Sequence, residues 1–171
     1  MGLLRGRRDE PQGRRFRMRE KLLSIGDDFW IEDEDGNRAY RVDGKAARLR
    51  ETILLKDISG REVAKIQERK LSVRDKMAIE RDGETVGTVH KALVGIRDRF
   101  AIEVEGGGDL KAHGNIVDHE YEIERDGDTI ARVSKKWFRV RDTYGVELRP
   151  GEDEGLLLAA VVALEALTDR R

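Results

Sequence analysis

Leu156-Leu157-Leu158-Ala159-Ala160-Val161-Val162-Ala163-Leu164-Glu165-Ala166-Leu167 is the stretch on which the reading of the fold turns. Leu and Ala are good helix formers, and the strand-like alternation of the preceding chain is gone. A surface helix carries polar residues every third or fourth position, yet here the first is Glu165. The uninterrupted apolar run, Leu156 to Leu164, is nine residues, well short of the roughly 20 that cross a bilayer. A short helix that is apolar on all sides must be enclosed on all sides. Glu152, Asp153 and Glu154 precede it and suit the positive end of a helix dipole. The helix is therefore expected over about residues 153–167.

Upstream, turn sequences recur on a beat. Asp35-Gly36, Ser59-Gly60, Asp82-Gly83, Gly106-Gly107-Gly108, Asp126-Gly127 and Pro150-Gly151 place glycines 24, 23, 23, 21 and 24 residues apart. Glycine supplies the positive φ of tight hairpins, and a step of about 23 holds two strands and their connections. Between turns the chain alternates. Phe100, Ile102 and Val104 oppose Arg99, Ala101 and Glu103; Tyr121 and Ile123 oppose Glu120, Glu122 and Glu124; Tyr144, Val146 and Leu148 oppose Thr143, Gly145 and Glu147. Period two with one apolar face marks antiparallel strands over a core. Ile79–Val86 nearly repeats as Ile123–Ile130, 44 residues later. The pattern predicts an all-β fold: a closed antiparallel barrel of about twelve strands, from Arg19 to Arg149, around a central apolar C-terminal α-helix. Twelve strands leave an interior too wide for their own side chains, and a helix fits that space. The alternatives are a helix lying on one face of an open sandwich or shared with a partner chain; apolarity on every side favours the barrel.

Composition bounds the function. Charged residues are 40% of the 171, net charge is -1, and there is no cysteine. Near-neutrality disfavours nucleic acid as a partner, and the absence of thiols excludes disulfides, thiolate catalysis, cysteine zinc sites and palmitoylation. Without a signal-peptide run or a transmembrane segment, the chain reads as a cytoplasmic protein, at most peripheral to a membrane. Residues 1–17 read as a disordered basic arm and 18–168 as one domain; Met1 to Lys21 carries eight basic and three acidic residues.

Several stretches taken together resemble the LURP-one-related family. They are Met18-Arg19-Glu20-Lys21, Asp27-Asp28-Phe29, Tyr40-x-Val42-x-Gly44-Lys45, Val133-Ser134-Lys135-Lys136-Trp137-Phe138 and Arg141-Asp142-Thr143-Tyr144-Gly145-Val146. The resemblance runs from about Met18 to about Leu167. That family is similar to the tubby C-terminal domain and to phospholipid scramblases, which implies a twelve-stranded barrel around a central helix. Tubby domains bind membrane phosphoinositides, so the resemblance also implies lipid contact. Scrambling does not carry over, because there is no cysteine to acylate and only Thr168 to Arg171 follow the apolar helix.

The candidate binding residues share a spacing. Lys91-x5-Arg97-Asp98 and Lys135-x5-Arg141-Asp142 match, and Lys70-x3-Arg74-Asp75 is a shorter version. Lys135, Lys136, Arg139 and Arg141 around Trp137 and Phe138 form the densest cluster. Arg offers a bidentate grip on phosphate and Lys a point charge, while the aromatics suit the apolar layer of an interface. Set against this, exposed charge is the rule on solvated strands, and each Arg-Asp could be an ordinary structural pair.

Signals for catalysis or metal are weak. His90, His113 and His119 lack helical ligand spacing and read as solvated strand residues. Asp33-x-Asp35-Gly36 lacks the first and last ligands of a calcium loop. No cofactor, metal site or catalytic set is therefore expected. The expected function is a noncatalytic binding module that docks anionic lipid headgroups or phosphorylated ligands through Lys135, Lys136, Arg139, Arg141, Lys91 and Arg97. The alternative is a protein-interaction scaffold, with Trp30, Trp137 and Phe138 as anchors.

Overall fold

The structure is a computed structural model that describes residues 11–20, 28–43, 52–69, 76–92 and 99–168. Among the described residues, twelve strands precede one helix. The first six are Arg15–Arg19 (β1), Phe29–Asp33 (β2), Arg38–Asp43 (β3), Thr52–Asp57 (β4), Glu62–Arg69 (β5) and Lys76–Arg81 (β6). The second six are Glu84–Lys91 (β7), Arg99–Val104 (β8), Leu110–Asn115 (β9), Glu120–Arg125 (β10), Asp128–Ser134 (β11) and Thr143–Leu148 (β12). The helix is Glu154–Thr168 (α1). Each strand pairs with the next. β1 pairs antiparallel with β12, Phe16 opposite Val146 and Met18 opposite Tyr144, which closes the barrel.

The expected closed barrel and central helix are both present. The inward side chains of the strands and every side of α1 form one core cluster. From Leu157 to Leu164 no helix residue is more than 1% exposed.

Antiparallel alternation sorts the connections between two ends. The turns holding Gly36, Gly60, Gly83, Gly106, Gly127 and Gly151, all at positive φ, lie at one end. The beat of about 23 is the path up one strand and down the next. The near-repeat in sequence is a repeat in structure. Asp82-Gly83 and Asp126-Gly127 have positive φ at both residues, the geometry of a type I′ hairpin turn. Both hairpins also bulge at the same place, after Ile79 and after Ile123.

The acidic tripeptide before the helix is gripped from three places on this rim. Arg125 donates to Glu152 at 3.0 Å, Arg81 to Asp153 at 2.8 and 3.1 Å, and Arg14 to Glu154 at 2.9 Å. Asp153 also accepts the Leu156 N–H at 3.1 Å as the helix N-cap, and the Arg81 guanidinium holds its carboxyl below the usual range.

The domain begins earlier than expected. Arg15, Phe16 and Arg17, assigned from sequence to a disordered arm ending at residue 17, belong to β1. Phe16 and Met18 are buried while Arg15, Arg17 and Arg19 face outward. What looked like the density of a basic tail is the solvent face of the strand that closes the barrel. Residues 1–10 lie outside the described residues.

Candidate functional site

Opposite the glycine turns, the connection from β11 to β12 (residues 135–142) folds back over the outer wall. Trp137 and Phe138 lie on Gly145: a Cβ there would sit 2.6 Å from Trp137 Cε3 and 3.0 Å from Phe138 Cε2. Arg15 covers the Trp137 ring at 5.0 Å and Arg17 the Phe138 ring at 5.9 Å, and Arg15 also pairs with the buried Glu147. The two half-buried aromatics therefore anchor the loop to the wall. Gly145→Ala is expected to destabilise the protein by about 1–3 kcal/mol, the cost of overpacking, and to shift Trp137 emission to the red. Urea unfolding and fluorescence test both.

Beyond this anchor the loop is basic and exposed. Lys136, Arg139 and Arg141 are exposed, with Val140 49% exposed between the two arginines. None of the three basic side chains pairs with a described carboxylate. Lys135 differs. Its Nζ lies 2.6 Å from Glu20 Oε1, and that hydrogen bond raises its pKa. Lys91 ends β7 at the same rim, but β7 and β11 are four strand spacings apart, about 19 Å along the wall, so Lys91 stands apart from the loop. Arg97 lies outside the described residues, as do Lys70 and Arg74. The loop separates two clefts. One, of about 480 Å³, reaches from Trp137 and Lys136 to His113; the other, of about 530 Å³, lies among Arg17, Arg19, Trp30 and Val140.

The histidines are not simply solvated. His119, in the β9–β10 turn with φ 54°, is 7% exposed. Its Nε2 is 2.6 Å from Glu165 Oε2, and its ring stacks on Tyr144 at 4.1 Å. The polar interruption near the end of the apolar helix is therefore half of a buried pair, joined across 46 residues. Glu20 Oε1 lies 3.8 Å from His119 Nδ1, so a row of polar side chains runs from α1 through His119 and Glu20 to Lys135. Burial first, then Glu165, pushes the hydroxyls of Tyr121 and Tyr144 well above their usual pKa. Sequence reasoning missed this cluster; its signal was one carboxylate in an otherwise apolar helix.

On the outer wall, strand pairing sets His113 opposite Glu122. Period two brings Glu124 to the same face, and His113 Nε2 is 2.8 Å from Glu124 Oε1. His113 lines both the 480 Å³ cleft and a third of about 470 Å³ that includes Lys111 and Glu124. No described helix is long and apolar enough to cross a membrane.

Comparison with known proteins agrees with this architecture. The LURP-one-related family model matches residues 14–165. YxjI, an uncharacterised protein of Bacillus subtilis (strain 168), is 29% identical over 76 residues, which is 44% of this chain and 47% of YxjI. The match thus spans about half of that relative. The X-ray structure of the Arabidopsis thaliana protein AT5G01750 superposes with a TM-score of 0.65, covering 92% of this chain and 91% of that one at 15% identity. At that identity the likeness speaks to the fold alone.

Proposed function

The chain belongs to the LURP-one-related family, and on that premise we propose that it is a noncatalytic binding module that docks on anionic lipid headgroups through the loop at residues 136–141. One observation carries the reading. Lys136, Arg139 and Arg141 stand exposed, with no carboxylate partner among the described residues, around an exposed Val140, at the tip of a loop whose aromatic base is fixed to the barrel wall. Most other basic residues of the described wall are paired, as Arg15, Arg17, Arg69 and Lys135 are. Cations that complete no pair of their own are available to phosphate, and a valine among them can enter the apolar margin of a headgroup layer. The glycine-turn end, with Asp35, Asp82, Glu105 and Asp126, would face away from an anionic surface.

Each Lys or Arg near such a surface contributes about 1 kcal/mol. Changing Lys136, Arg139 and Arg141 together to Ser should therefore weaken binding roughly a hundredfold. The measurement is co-sedimentation with phosphatidylcholine vesicles against vesicles containing phosphatidylserine or a phosphoinositide, over a salt series. Wild-type binding confined to anionic vesicles, fading with salt and lost in the variant, is the expected outcome. A wild type that ignores anionic vesicles at low salt would end the lipid reading and leave a protein partner as the alternative.

A further inference from the structure

We propose that His113, Glu122 and Glu124 form a binding site for a divalent transition-metal ion, zinc in the first instance, on the outer wall of β9 and β10. None of its three ligands belongs to the lipid-docking loop. Each residue offers a ligand atom, and the three atoms lie within 4.8 Å of one another. Zinc bound by imidazole nitrogen and carboxylate oxygen has bonds of about 2.0–2.2 Å. Ligand atoms around a tetrahedral ion are then roughly 3.4 Å apart, so small torsions of two half-exposed carboxylates close the site.

Strand geometry makes the set. His113 and Glu122 are direct cross-strand partners, and Glu124 follows two residues along on the same face. His113 Nε2 already lies 2.8 Å from Glu124 Oε1, so imidazole and carboxylate reach a common point with the backbone as it stands. Glu122 is held from behind: Arg132 Nε donates to its Oε1 at 3.2 Å and the Thr129 hydroxyl to its Oε2 at 3.3 Å. These are outer contacts of the kind that orient ligating carboxylates, and each oxygen keeps a second lone pair for the metal. A neutral imidazole and two carboxylates match a 2+ charge. With three protein ligands one position stays open, as in zinc sites that bind an exogenous group. It would face the clefts of about 480 and 470 Å³ that meet at His113.

The test titrates Zn²⁺ calorimetrically, and Co²⁺ by its visible absorption, into tag-free full-length protein. His113→Ala and Glu124→Gln are run beside His90→Ala, a control whose imidazole faces the single carboxylate of Glu103 at 3.1 Å. The expected result is one equivalent of saturable binding, weakened at least tenfold in each of the first two variants and unchanged in the control. Co²⁺ should also quench Trp137 emission in wild type, since Trp137 lines the same cleft as His113; that readout does not depend on any variant folding. Absence of saturable uptake by the wild type, or uptake that survives both His113→Ala and Glu124→Gln, would overturn the assignment.

Discussion

Replacing Leu158 by Asp is expected to leave no folded protein. Leu158 is fully buried at the centre of the barrel. Removing a buried leucine side chain costs about 2–5 kcal/mol by itself, and an unpaired buried carboxylate adds several more. The total approaches or exceeds the roughly 5–15 kcal/mol that separates native from unfolded domains. Leu158→Met, which nearly conserves volume, should cost less than about 1.5 kcal/mol. Far-UV circular dichroism and urea unfolding of the pair test the claim. A stable, soluble Leu158→Asp protein would mean that the helix is not enclosed.

The second large effect is expected at the far end of the helix. Glu165→Ala and His119→Ala should each destabilise the protein by about 1–3 kcal/mol, because each takes a hydrogen-bond partner from a buried polar group. The double variant should cost clearly less than the sum, with a coupling of roughly 2 kcal/mol read from urea midpoints of all four proteins. Strict additivity would show that the 2.6 Å contact contributes nothing specific. There is a structural reason to expect the pair. A helix apolar on every side has no preferred face, so packing alone sets its rotation and height poorly. Glu152, Asp153 and Glu154 tie its start to Arg125, Arg81 and Arg14, and Glu165 ties its end to His119. The polar residues sit where they index the helix against the wall.

The barrel was legible because its signals are local. A glycine at positive φ marks a turn wherever it stands, and the beat survives because every one of those turns lies at one end. The apolar helix was equally plain. Side-chain partnerships were not, since they depend on which strands pair and in what register. Nothing near Lys135 in sequence says that Glu20 will take it, and nothing near His119 points to Glu165. His113 and Glu122 meet only through the β9–β10 register, which residue spacing along the chain does not display. The early start of β1 was hidden for a related reason. Three arginines alternating with Phe16 and Met18 read as a basic tail until a strand is known to pair beside them.

The placement of the core helix after all twelve strands has a consequence for how the chain folds. As the strands leave the ribosome they have no interior to pack against, and the first and last lack their closing neighbours. Arg15 and Glu147, which end up paired, are separated by 132 residues. Most strands pair with their neighbour in sequence, but closing the barrel through a contact that distant carries a high loop-closure cost, which slows that step. For much of synthesis the nascent chain would show apolar strand faces and open edges, the features that recruit chaperones or lead to aggregation. Refolding should therefore be slow and concentration-sensitive, and dependence on chaperones would follow from chain order.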